Sequence, residues 1–137
     1  MQDKSLVFTN GCFDIIHSGH IALLAYCAKF GTVIVGLNSD QSVKRLKGND
    51  RPINSEQDRK LVLESIRFVN EVIIFSQDTP LSLIHRLKPN IIVKGGDYRK
   101  EDVVGNDLAE IKIFPTILGK STTSLILSLR GSKIEPD

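Results

Sequence analysis

The chain has 137 residues, 41% of them hydrophobic and 25% charged, which bounds it to one ordinary soluble globular domain with a normal core over residues 5–130 and a tail at 131–137. A formal net charge of +2 is too small to argue for a nucleic-acid partner, and no apolar run approaches the roughly 20 residues of a membrane helix. Two cysteines at non-motif spacing, with no apolar targeting core at the N-terminus, give the expectation of a reducing, cytoplasmic setting.

The first apolar run, Leu6-Val7-Phe8, reads as a buried strand. A turn follows at Thr9-Asn10-Gly11, where glycine lets the backbone approach a ligand closely. Cys12, Phe13 and Asp14 lead on to His17-Ser18-Gly19-His20, just ahead of an apolar-periodic segment from Ile21 to Lys29. Ser18 is the expected N-cap, so His17 and His20 bracket a helix start. Such a start offers unpaired N–H groups and partial positive charge, which suits a phosphate. A zinc-type site is disfavoured, because the remaining histidine, His85, falls in a different predicted helix and Cys12 and Cys27 form no Cys-x-x-Cys pair.

Gly31 stops that helix, and Thr32 to Leu37 is β-branched and apolar, a second buried strand. A short helix is expected over Gln41 to Leu46, then a polar loop from Lys47 to Pro52. Asn54 or Ser55 caps a helix expected to run to about Phe68, with Leu61, Val62, Ser65, Ile66 and Val69 at helical spacing. Val72 to Phe75 is a third strand. Asp78-Thr79-Pro80 starts the next helix, which ends before Pro89. Asn90 to Lys94 is a fourth strand, closed by Gly95-Gly96-Asp97. Residues 98–109 read as loop or short helix, Ile111 to Phe114 as a fifth strand, and Ser121-Thr122-Thr123 as the cap of a last helix over Ser124 to Arg130.

Strands alternating with helices predict an α/β fold, a Rossmann-like doubly wound sheet of about five parallel strands. Ligands bind such sheets outside the carboxyl ends of the strands. The chemistry-bearing loops at 9–20, 38–51, 95–99 and 115–123 all fall there. Four cations stand within residues 44–51, namely Lys44, Arg45, Lys47 and Arg51, and read as a cationic clamp over a polyphosphate. Arg59 is placed to add a fork to a phosphate. Gly95 and Gly96 let a flat ligand lie on bare backbone, and Asp97 can accept ribose hydroxyls. Gly119-Lys120-Ser121-Thr122-Thr123 is a second phosphate-ready helix start. It is not a Walker loop, since Phe114 stands where that motif needs glycine, and the first loop lacks Gly-x-Gly-x-x-Gly. No covalent nucleophile stands out with a base beside it. The coherent chemistry is direct displacement at the α-phosphorus of a nucleotide by the phosphate oxygen of a second substrate.

The run Asn10-Gly-Cys-Phe-Asp-x-x-His17-x-Gly-His20, with Ser121-Thr122-Thr123, resembles the two signatures of the cytidylyltransferase-like nucleotidyltransferases, the HIGH-type fold. Asn38-Ser-Asp-Gln-Ser-Val-Lys-Arg-Leu-Lys-Gly48, Arg51-Pro-Ile-Asn54, Asp78-Thr-Pro80 and Val93-Lys-Gly-Gly-Asp-Tyr98 are more narrowly similar to the heptose 1-phosphate adenylyltransferases. The resemblance covers about residues 5–130. It implies ATP, with Mg2+, and D-glycero-β-D-manno-heptose 1-phosphate as substrates, and ADP-heptose and pyrophosphate as products, feeding a surface glycan. It implies His17, His20, Lys44 and Lys47 as the catalytic group. Thr9, Asn10, Gly11, Cys12, Phe13, Asp14, Gly19, Gly95, Gly96, Asp97, Ser121, Thr122 and Thr123 would bind nucleotide, and Asp40, Arg51 and Lys94 the acceptor. No protein metal ligand is implied, and relatives are commonly homodimers. The chain departs from the family at Leu118, where an acidic residue is usual, at Lys120, and in a shortened segment between Gly105 and Ile111. Thr116 stands near where many glycerol-phosphate cytidylyltransferases carry arginine, which favours ATP. The competing readings are a cytidylyltransferase making a CDP-polyol such as CDP-glycerol, and a non-catalytic nucleotide-binding subunit.

Overall fold

A computed structural model describes residues 5–115. The expected last helix and Ser121, Thr122 and Thr123 lie outside these residues. Five strands alternate with helices: β1 (Leu6–Gly11), α1 (Ser18–Ala28), β2 (Thr32–Asn38), α2 (Asp40–Lys47), α3 (Glu56–Glu64), β3 (Glu71–Phe75), α4 (Leu81–Leu87), β4 (Ile91–Gly95) and β5 (Glu110–Phe114). A 3-10 turn, Lys100–Asp102, stands between β4 and β5.

All strand pairs are parallel, in the order β3-β2-β1-β4-β5. The chain runs outward from β1 to β3 and then returns to the other side of β1. Right-handed crossovers running in opposite directions put their helices on opposite faces. The packing shows this. On one face Leu24, Cys27 and Leu63 cover Val7, Val33, Val35 and Val93. On the other, Leu83 and Ile84 cover Phe8, Ile34 and Ile92. Alternate residues of β1 and β2 thus enter different cores, which is why these strands read as unbroken apolar runs. At Gly36 the sheet leaves no room for a side chain, since an added Cβ would meet the Phe8 ring at 2.7 Å.

Two expected boundaries shift. His17, not Ser18, is the N-cap of α1. Of the two expected caps for α3 it is Ser55 that serves, accepting the Asp58 N–H at 3.2 Å. That helix ends at Glu64 rather than near Phe68, with Ser65 as its C-cap. Its buried residues are Arg59 and Leu63, one turn apart, while Leu61 is 64% and Val62 47% exposed. Of the residues at helical spacing, Leu61 and Val62 thus lie on the outward side of the helix, while Ile66 and Val69, beyond its end, pack on the core. The shortened segment before β5 has no α-helix. Gly105, at φ +92°, instead lets the backbone lie on Ile84 and Ile92, where an added Cβ would stand 2.7 Å from Ile92.

Candidate active site

β1 ends in Asn10 and Gly11, and the next turn brings Phe13 into the left-handed region at φ 46°. A Cβ at Gly11 would stand 3.2 Å from the Phe13 ring, so the bare glycine is what lets that ring fold back. Phe13 in turn backs His20, with ring centroids 5.4 Å apart.

The two histidines are joined through a reciprocal cap. The Gly19 N–H donates to His17 Nδ1 at 3.0 Å, and the His17 N–H donates to His20 Nδ1 at 3.1 Å. Each Nδ1 is thereby an acceptor, which places the proton of each neutral ring on Nε2. The rings lie together, with centroids 4.1 Å apart. Burial, reinforced by the neighbouring His17, lowers the His20 pKa from 6.5 to about 4, so the ring is neutral at pH 7.

A cleft of about 720 Å³ opens at the carboxyl ends of the strands, along the line where the strand order reverses beside β1. From the first loop it is lined by Asn10, Gly11, Cys12, Phe13, Asp14, His17, Gly19 and His20. Lys47 and Arg51 line it beyond β2, and Lys94, Gly95 and Gly96 beyond β4. The structure thus brings together most of the residues expected from sequence. Burial is the main cause that raises the Cys12 thiol pKa, against the nearby Lys47, Arg59 and Arg51 charges. Burial also lowers the Lys94 amine, whose Nζ stands 4.8 Å from the centre of the Tyr98 ring.

Several expected residues have other duties. Thr9 is buried, 1% exposed, beneath the cleft. Lys44 is exposed on α2, one turn before Lys47, and does not line the cleft. Asp97 is exposed and also lies off the cleft wall. Arg59 is not a phosphate fork. It is 1% exposed and donates to the carbonyls of Asn54, Cys12 and Asn38 at 2.9, 2.8 and 2.8 Å. Its remaining nitrogen donates to Asp40 Oδ1 at 2.8 Å, so Asp40 orients that guanidinium instead of standing in the cleft wall. Asp14 is buried and accepts from Arg51 Nε at 3.1 Å and from the Ile53 and Asn54 N–H groups at 2.8 and 2.9 Å. Arg51 is 7% exposed, so the pair holds the 51–54 loop against the first turn. Its edge on the cleft does not make it a free cation for the acceptor. Arg45 leaves the expected clamp as well, donating to Asp78 at 3.1 Å and to the Ser76 carbonyl.

Tyr98 and Phe114 line the cleft on the β4–β5 side, and Asn38, Leu46, Asp78, Thr79 and Pro80 on the β2–β3 side. No site role is assigned to any of these from the sequence, although all but Phe114 lie in the stretches that carry the narrower family resemblance.

Residues 8–130 match the cytidylyltransferase-like family, and the chain belongs to it. The fold and the family are those of a nucleotidyltransferase domain. The chain is 52% identical over 132 residues to the bifunctional protein HldE of Campylobacter concisus, covering 95% of this chain and 28% of that protein. With HldE of a Nitratiruptor species it shares 53% identity over 132 residues, covering 95% of this chain and 29% of the relative. The chain therefore spans under a third of the length of these curated relatives. Among solved structures it superposes on the lipopolysaccharide core biosynthesis protein of Thermoplasma volcanium with a TM-score of 0.70 and 25% identity, over 84% of this chain and 98% of that one. The pantoate-beta-alanine ligase of Francisella tularensis, at TM-score 0.61 and 16% identity over 98% of this chain and 72% of that one, shares the fold.

Proposed function

We propose that the chain transfers AMP from ATP to a sugar 1-phosphate, D-glycero-β-D-manno-heptose 1-phosphate, giving ADP-heptose and pyrophosphate. The observation that carries this reading is the reciprocal cap. It holds two neutral imidazoles side by side at a helix N-terminus, each with its proton on Nε2. Such rings can donate to phosphate oxygens as charge builds on them, without exchanging protons. The choice of heptose is supported by the motif resemblance and by half-identity to HldE relatives over nearly the whole chain.

In the proposed reaction an acceptor phosphate oxygen attacks the α-phosphorus. A new P–O bond forms, the bond to the β-phosphate oxygen breaks, and pyrophosphate leaves with the electron pair. A phosphate monoester has its second pKa near about 6, so the nucleophile is already deprotonated at pH 7 and needs no base. That requirement agrees with histidines capped on Nδ1. The α1 N-terminus and the two rings hold the nucleotide phosphates. Lys47 and Lys94 supply positive charge to the leaving pyrophosphate and the acceptor phosphate. Gly95, Gly96, Tyr98 and Phe114 give a flat side suited to the nucleoside. The substrate would be ATP with magnesium, the ion supplying further charge neutralisation to the phosphates. Among the described residues no three of His, Cys, Asp or Glu gather into a metal site.

The test is pyrophosphate release with ATP or CTP against a panel of sugar and polyol phosphates. Turnover with ATP and the heptose phosphate is the expected result. Preference for CTP with glycerol phosphate replaces the proposal with the cytidylyltransferase reading. Tight ATP binding without turnover on any acceptor replaces it with a binding subunit.

A further inference from the structure

The cleft is asymmetric about β1. On the β4–β5 side its wall is backbone glycine, aromatic ring and one amine, from Gly95, Gly96, Tyr98, Phe114 and Lys94. On the β2–β3 side Asp78, Thr79 and the Lys47 ammonium stand among Leu46, Phe75 and Pro80. The reacting phosphates belong between them, at the histidine pair on the α1 N-terminus. At about 720 Å³ the cleft falls within the range of about 300–1,000 Å³ typical of a small-molecule site.

Asp78 is not simply a surface carboxylate. Arg45, on the outer side of α2, donates to its Oδ1 at 3.1 Å and also to the Ser76 carbonyl in the same loop. Ser76 Oγ in turn donates to Ser39 Oγ at 2.9 Å, beside the end of β2. The loop is thus tied to both β2 and α2, yet the Asp78 side chain remains 77% exposed. A carboxylate held in place and open to a cleft can accept hydrogen bonds from vicinal hydroxyls, and the neighbouring threonine hydroxyl can donate to them or accept from them. It repels a second phosphate. This chemistry fits the hydroxylated body of an acceptor whose own phosphate is turned toward Lys47 and the histidines.

We propose that Asp78 and Thr79, on the β3–α4 loop, form the subsite that reads the hydroxyl groups of the acceptor sugar, with Arg45 as the residue that positions Asp78. This rests on the proposed nucleotidyl transfer and deepens it. It places acceptor selection on a loop that the charge pattern of the sequence did not single out.

The test is steady-state kinetics with both substrates varied, on the wild-type chain and on Asp78→Ala, Thr79→Val and Arg45→Met, each checked for folding by circular dichroism. With D-glycero-β-D-manno-heptose 1-phosphate as acceptor, Asp78→Ala raises its KM about tenfold and Thr79→Val about threefold, as expected for lost hydrogen bonds at a binding site. The KM for ATP stays within twofold. Arg45→Met, which cuts the tether and keeps the carboxylate, costs less than Asp78→Ala. An unchanged acceptor KM in Asp78→Ala overturns the subsite. So does an equal rise in the KM for ATP. An Arg45→Met penalty equal to that of Asp78→Ala, with Thr79→Val silent, makes the pair a structural strap and also overturns it. If the wild type turns over a different sugar or polyol phosphate, the heptose assignment fails while the subsite is judged by the same KM ratio on that acceptor. No turnover on any acceptor overturns both.

Discussion

Arg51 Nε donates to Asp14 Oδ2 at 3.1 Å across 37 residues of sequence, and neither residue is more than 7% exposed. Asp14 also receives the Ile53 and Asn54 N–H groups, so one carboxylate fastens the loop before α3 to the turn that carries the histidines.

Replacing Asp14 with alanine leaves a buried guanidinium and two backbone N–H groups without their acceptor. The expected loss is about 3–5 kcal/mol of unfolding free energy, the range for breaking a buried pair from one side. Arg51→Met costs less, because Asp14 keeps its backbone donors. Denaturant unfolding of both variants checks the order, and a larger loss in Arg51→Met contradicts it.

Arg59→Lys tests the other anchor. Lysine keeps the charge but cannot reach three carbonyls and Asp40 from a single nitrogen. A loss of at least about 2 kcal/mol is expected. Calorimetry should show it as a lowered Tm even with nucleotide absent. A variant with wild-type stability would return Arg59 to the role of phosphate ligand.

His20→Ala removes one imidazole donor from the cleft and should lower kcat by at least about a hundredfold. It also removes the acceptor for the His17 N–H, a cap contact whose loss costs about 0.5–2 kcal/mol. The helix survives that cost, so the variant remains folded. Activity within tenfold of wild type would remove His20 from the mechanism.

The His20 pKa of about 4 has a direction that can be worked through. The folded ring stays neutral down to about 4, whereas the unfolded chain takes up a proton near about 6.5. Between those values the unfolded state binds more protons, so this residue lowers stability as pH falls and contributes no pH dependence above that window. Imidazole nitrogen NMR should find the Nε2–H tautomer at pH 7 and a midpoint near 4. A midpoint near 6.5, or a proton on Nδ1, would contradict the cap.

The sheet and the first loop were legible because their signals are local. Apolar runs alternate with helical spacing, and a glycine turn precedes His17 and His20. What escaped was the use of charge. Arg45, Arg51 and Arg59 all read as cations for phosphate. Their partners, Asp78, Asp14 and the carbonyls of Cys12, Asn38 and Asn54, are brought to them only by the folded sheet. Of that cluster and Lys44, only Lys47 stands at the cleft as an ammonium not drawn into such a pair. The end of α3 is hidden because Ile66, Phe68 and Val69 continue to pack on the core beyond Glu64, so the apolar spacing outlasts the helix. Asp78 and Thr79 read as a helix start, and their place in the cleft follows from β3 lying beside β2.

In the proposed reaction transfer is direct between two substrates held in one cleft, with Cys12 and the histidines forming no covalent intermediate. The stereochemical course at the α-phosphorus tests it most directly. With a single diastereomer of ATPαS and the heptose phosphate, the nucleotide sugar should form with inversion at phosphorus. Retention would require two displacements through a nucleotidyl-protein intermediate and would contradict the account.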